Sequence, residues 1–303
     1  MSSFQVIATG PDRVGESPVW DVRLQALWWV DIESRRVRRW SQSSGQLMAW
    51  SLPERVGCIA LAEDGRVIAA METRISAARL GEDGSVALED LALATFPAEG
   101  IRFNDGRCDA SGRLWVGTML MEQSQNRALG GMYCLDERGL TGPHVEGLYT
   151  SNGSGFSPDG KTFYLSDSHP LSQQVWAFDF DVERGELSAR RSFLDMRQMA
   201  GRPDGAAVDS QGNYWICAND ASQVDCISPQ RQLLRTAPVP FPKPAMCCFG
   251  GPDLGTLFVT SIVPGDPKLD PQGLSGCVVA LRPGATGLPE PRFSRFPRMA
   301  HSS

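Results

Sequence analysis

A short pattern recurs along the chain: a turn with aspartate and glycine feeds a run of aromatic and β-branched residues. It reads Asp64-Gly65-Arg66-Val67-Ile68, Asp109-Ala110-Ser111-Gly112-Arg113-Leu114-Trp115, Pro158-Asp159-Gly160-Lys161-Thr162-Phe163-Tyr164 and Asp209-Ser210-Gln211-Gly212-Asn213-Tyr214-Trp215. A looser copy is Pro252-Asp253-Leu254-Gly255-Thr256-Leu257-Phe258, and Leu27-Trp28-Trp29-Val30-Asp31 is a first copy with a different turn. The apolar runs begin at Leu27, Val67, Leu114, Phe163, Tyr214 and Leu257, at intervals of 40, 47, 49, 51 and 43 residues. A period of about 40–50 residues with several short strands per unit marks a β-propeller. Six copies in 303 residues predict an all-β, six-bladed propeller, one domain over residues 1–303. From about residue 283 the chain is rich in Pro and Gly; it either lies extended over the surface or helps to complete the last blade.

Local patterns agree with this reading. Val56–Leu61, Arg66–Met71, Gly131–Leu135, Lys161–Ser166, Gln174–Phe180, Asn213–Ala218, Gln223–Ser228 and Gly276–Leu281 read as short strands bounded by turn residues. Trp29-Val30-Asp31 with Arg36–Trp40, and Tyr164–Asp167 with Gln174–Phe178, read as adjacent strands of one blade. The 31 glycines and 21 prolines suit many tight turns.

Composition removes several classes of function. A net charge of −6 argues against a nucleic-acid partner, which would select a basic face. No apolar run approaches the roughly 18 residues that span a bilayer, so no membrane partner is expected. The first residues lack the basic and apolar regions of a signal peptide, which points to the cytoplasm. Eight cysteines, at 58, 108, 134, 217, 226, 247, 248 and 277, form no Cys-x-x-Cys pair. They read as free thiols packed like small apolar residues. The three histidines, His144, His169 and His301, lie in turns, loops or the C-terminus. That weighs against a histidine-rich zinc site and against a Ser-His-Asp triad.

The residues that break the strand pattern are acids and amides. Gly15-Glu16-Ser17-Pro18, Ile101-Arg102-Phe103-Asn104-Asp105-Gly106, Ser151-Asn152-Gly153 and Pro203-Asp204-Gly205 each precede a blade motif. Taken singly, each is an ordinary polar turn. Their spacing argues otherwise: Asn104, Asn152 and Asp204 each stand 8 residues before the turn glycine, Gly112, Gly160 and Gly212. In a propeller, similar positions in successive blades meet around one axis. These residues should converge at one mouth of the channel, and Glu16 can join them. Two carboxylates, two amides and a nearby arginine make an oxygen-rich pocket suited to one hard divalent cation.

With these segments in order, the chain resembles the regucalcin/gluconolactonase (senescence marker protein) family. The resemblance is carried by Gly15–Trp20, Trp29–Ile32, Arg102–Gly106, Gly112–Met119, Ser151–Gly153, Pro203–Gly205 and Cys247–Gly251. It implies a metal-dependent hydrolase of sugar-acid lactones with a gluconolactone-like substrate. It implies Glu16, Asn152 and Asp204 as metal ligands, Asp204 also as catalytic proton acceptor and donor, and Arg102, Asn104 and Glu122 as substrate contacts. The oxygen donors leave calcium, zinc, manganese, magnesium and ferrous iron open. A monomer or weak homo-oligomer is expected. Ser154-Gly155, Asn219-Asp220-Ala221-Ser222 and Ile262–Asp266 depart from the family pattern and bear on substrate choice. The competing readings are a hydrolase of other esters or phosphotriesters, a non-catalytic calcium-binding regulatory propeller, and a protein-interaction propeller.

Overall fold

The computed structural model describes residues 4–298; His301 lies outside the described residues. It contains six four-stranded antiparallel sheets arranged as the blades of a propeller. Blade I holds β2 (Gly15–Asp21), β3 (Ala26–Asp31), β4 (Arg36–Ser41) and β5 (Leu47–Ser51). Blade II holds β6 (Val56–Leu61), β7 (Val67–Met71), β8 (Arg74–Leu80) and β9 (Val86–Leu93). Blade III holds β10 (Ile101–Cys108), β11 (Leu114–Leu120), β12 (Gly130–Asp136) and β13 (Gly139–Leu148). Blade IV holds β14 (Ser151–Phe156), β15 (Thr162–Asp167), β16 (Gln174–Asp181) and β17 (Glu186–Asp195). Blade V holds β18 (Arg202–Val208), β19 (Tyr214–Asn219), β20 (Gln223–Ile227) and β21 (Leu233–Pro238). Blade VI holds β22 (Pro244–Gly250), β23 (Thr256–Ser261) and β24 (Val278–Leu281), and its outer strand is β1 (Phe4–Ala8) from the other end of the chain.

The repeated apolar runs are the second strands of the blades. Each is covered on both faces by neighbouring blades, so β3, β7, β11 and β19 are buried throughout and show no alternation. Six apolar clusters fill the six seams between adjacent blades. The turn aspartates secure these strands. Asp209 Oδ1 accepts from the backbone N–H groups of Gln211 and Asn213, both at 2.9 Å, and its Oδ2 accepts from Trp215 Nε1 at 2.9 Å. Asp109 binds Ser111, Arg113 and Trp115 in the same way. Asp209→Ala leaves a buried indole N–H and two turn N–H groups without an acceptor. It is expected to destabilise the fold by roughly 3 kcal/mol, read as a lower urea midpoint. Asp159, exposed at the matching turn of blade IV and holding no tryptophan, should cost less than about 1 kcal/mol when replaced by alanine.

The innermost strands β2, β6, β10, β14, β18 and β22 touch in succession around the axis. Every one of them carries a register shift against its neighbour. Asn104-Asp105-Gly106, Asn152-Gly153 and Asp204-Gly205 are therefore bulges within strands, not hairpin turns. A bulge bends the strand and re-aims its side chains. Gly153 shows why a glycine is needed there: its φ is +61°, and a Cβ would stand 2.3 Å from Tyr214 Oη.

Blade VI closes on β1, which pairs antiparallel with β24, so the tail does not complete it. Instead residues 285–298 cross the face opposite the site as an extended strap. Phe293 is fully buried in the seam of blades II and III and pairs through its backbone with Leu61 and Glu63. Glu290 reaches Arg107 at 2.6 Å. All eight cysteines are buried and unpaired. No helix among the described residues is long and apolar enough to cross a membrane.

Candidate active site

At the end of the channel remote from the strap lies a cavity of about 700 Å³. Glu16 of blade I, Arg102 and Asn104 of blade III, Asn152 of blade IV and Asp204 of blade V all line it. Each lies on an innermost strand, beside its bulge. All five are buried.

A chain of hydrogen bonds fixes their order. Arg102 donates through one Nη to Asn104 Oδ1 at 2.7 Å and to the Phe103 carbonyl at 2.8 Å. Asn104 Nδ2 donates to Asn152 Oδ1 at 2.9 Å. Asn152 Nδ2 donates to Asp204 Oδ1 and to Ser168 Oγ, both at 2.7 Å. Asn219 Nδ2 donates to Asp204 Oδ2 at 2.6 Å. Glu16 accepts only the N–H of its neighbour Ser17, at 3.1 Å, among the described residues.

Electrostatics set this cavity apart. Burial, then the charges of Asp204 and Asp105, push the Glu16 carboxyl well above the usual range. Burial likewise raises Asp204, against the lowering effect of Asn219 and Arg202. Burial also draws the Arg102 guanidinium down to about 10. Among the described residues neither Glu16 nor Asp204 takes part in an ion pair, and no three His, Cys, Asp or Glu side chains gather as a metal cluster. The oxygen-donor set is therefore two carboxylates and an amide. These donors fit a hard divalent cation, because a positive charge between two buried acids removes the repulsion and desolvation that raise both.

Glu122 does not join the others. It is exposed on the loop after β11 and accepts from Ser124 Oγ, while Gln123, Ser124 and Asn126 of that loop line the cavity. His169 does line it, but its ring stacks on Tyr149 at 4.5 Å and its Nδ1 accepts the Leu171 N–H at 3.2 Å. Ser168, Asn219, Arg202 and Lys243 also face the cavity. Asn219 had one sequence signal: it is the polar residue that ends the apolar run of β19, as Asp167 ends that of β15.

A propeller with such a polar pocket on its axis belongs to a class of small-molecule enzymes and binders. Residues 14–263 match the model of the SMP-30/Gluconolactonase/LRE-like region. The chain belongs to this family, which includes lactonases. It is 34% identical over 303 residues to regucalcin of Gallus gallus, covering 97% of this chain and 100% of that protein. It is 36% identical over 294 residues to 6-deoxy-6-sulfogluconolactonase of Pseudomonas putida, covering 96% and 99%. The solved structure of a calcium-binding protein, regucalcin, from Agrobacterium tumefaciens superposes with a TM-score of 0.88 at 25% identity, covering 97% and 98%.

Proposed function

We propose that the protein hydrolyses a gluconolactone-like sugar lactone to the free aldonic acid, with one divalent cation held by Glu16, Asn152 and Asp204. The observation that carries this reading is the meeting of two buried, unpaired carboxylates with an amide and a buried arginine in one cavity. The relative named 6-deoxy-6-sulfogluconolactonase supports a sugar-lactone substrate, and the calcium-binding regucalcin of Agrobacterium tumefaciens supports a divalent cation. When bound, the cation polarises the lactone carbonyl as a Lewis acid.

The chain's own residues do the rest. Asp204 takes a proton from the attacking water, whose oxygen bonds to the carbonyl carbon. As the ring C–O bond breaks, Asp204 returns that proton to the departing alkoxide. Asn152 and Asn219 orient the Asp204 carboxylate by donating to one oxygen each. Arg102 donates its remaining N–H groups to substrate oxygens, and Asn104, whose two N–H groups are held by the Ser151 carbonyl and Asn152, accepts from a substrate hydroxyl at Oδ1. Glu122 is kept as a contact at the rim, beside Gln123 and Ser124.

The test is a pH-indicator assay with glucono-1,5-lactone before and after chelation. Hydrolysis should fall to background with chelator and return with a divalent cation from a panel of calcium, manganese, zinc and magnesium. The same cation at 100 times its Kd should stabilise the fold by about 2.7 kcal/mol. Cation binding without turnover of any lactone would overturn the proposal.

A further inference from the structure

Beyond the residues given to the chemistry, two further cations line the cavity. Arg202 opens β18, two residues before Asp204, and Lys243 stands just before β22; both side chains line the cavity. They converge on a single acid, Asp220: Arg202 Nη reaches it at 2.9 Å, and Lys243 Nζ also contacts it. Two cations around one carboxylate leave the cluster with a net positive charge. The Arg202 side chain is also tied to blade IV, donating to the Ser168 carbonyl at 3.4 Å. The two cationic side chains are 32% and 21% exposed, Arg202 the more, so they are reachable from the cavity yet partly desolvated.

Their position relative to the chemistry is defined. Lys243 Nζ lies 3.5 Å from Asn219 Oδ1, and Asn219 Nδ2 lies 2.6 Å from Asp204 Oδ2. The ammonium is thus two hydrogen bonds from the carboxylate proposed to move the proton. A substrate with its lactone carbonyl at Asp204 can place its far end at this cluster. Hydroxyls are satisfied by neutral acceptors and donors and need no fixed charge. A fixed surplus of positive charge discriminates only when the substrate brings negative charge to it.

We infer that the preferred substrate is a sugar lactone bearing an anionic group, such as sulfonate, phosphate or carboxylate, at the end remote from the carbonyl, held by Lys243 and Arg202. This rests on the lactonase reading above and specifies its substrate class.

The test compares kcat/KM for glucono-1,5-lactone with that for the hexonolactones carrying a sulfonate, a phosphate or a carboxylate at C6. At least one anionic lactone should be favoured by about tenfold or more, and the preference should shrink as ionic strength rises. The largest ratio identifies the group. Lys243→Met and Arg202→Gln should each reduce the anionic-to-neutral ratio about tenfold, while Lys243→Arg keeps most of it. A merely structural loss at Asn219 or Asp220 would depress both lactones together and leave the ratio unmoved. Equal rates on neutral and anionic lactones, or ratios unmoved in both charge-removing variants, overturn the inference and leave the lactonase reading standing. Failure to hydrolyse any lactone with any cation removes both.

Discussion

Asp204→Asn is expected to lower kcat/KM on gluconolactone by about 10³-fold, within the range for loss of a general acid–base group. The replacement keeps the shape of the side chain and one acceptor oxygen, so the donors Asn152 and Asn219 lose only part of their partner. It removes the proton acceptor and half of the carboxylate charge that the proposal gives to the cation. Burial already disfavours the ionised form of Asp204 in the cation-free protein, so a neutral side chain there costs the fold little. Thermal unfolding without cation should therefore stay within a few degrees of wild type, while calorimetric titration shows weaker cation binding. Hydrolysis near the wild-type rate would sink the assignment of Asp204.

A chain ending after Gly284 should lose on the order of 5 kcal/mol, a large share of the stability of an ordinary domain. Phe293 is fully buried between blades II and III and meets Phe296 edge-on at 4.9 Å. Its loss opens the seam to water. The same cut strips Arg107 of Glu290. Arg107 is 11% exposed, and its guanidinium also holds the Ser154 carbonyl at 2.9 Å and the Ala206 carbonyl at 2.8 Å. One cation thus joins blades III, IV and V to the strap. Glu290→Gln isolates that part and should cost about 2 kcal/mol, less than a fully buried pair because Glu290 is 22% exposed. Denaturant unfolding of both variants checks the ranking. A truncated protein melting within a few degrees of the full chain would show that the strap holds nothing.

The parts legible in the sequence share one physical cause. Second strands such as Leu114–Leu120 are covered on both faces, and such burial selects an unbroken apolar run. Outer strands had no such signature: Val86–Leu93 is exposed along most of its length, so neither alternation nor a run survives. β1 was invisible for another reason. Its partner is β24 at the far end of the chain, and no local pattern reports a pairing of Val6 with Val279. In the site, Asn104, Asn152 and Asp204 stood out because they ride on the repeat. Ser168 and Lys243 lie in the loops beside strand ends, and Asn219 keeps the offset from Gly212 that Asp167 keeps from Gly160, but blade III has the apolar Met119 at that offset, so no polar set stood out. The turn-like dipeptides Asn-Gly and Asp-Gly misled locally. A bulge asks for the same conformational freedom as a turn, and only the sheet pairing tells them apart.

The closure of blade VI by β1 has a bearing on when the site can exist. Glu16 arrives early in synthesis and Asp204 late, and the ring of innermost strands that holds them around the axis closes when β2 and β22 meet. That meeting is secured by strands separated by nearly the whole length of the chain, the kind of pairing that forms slowly because loop closure precedes any reward. A ribosome-bound chain lacking β24 carries all five buried pocket residues in its sequence but lacks the strand that joins β1 to β23 and closes blade VI. The last step of ring formation is also the step that creates the chemistry.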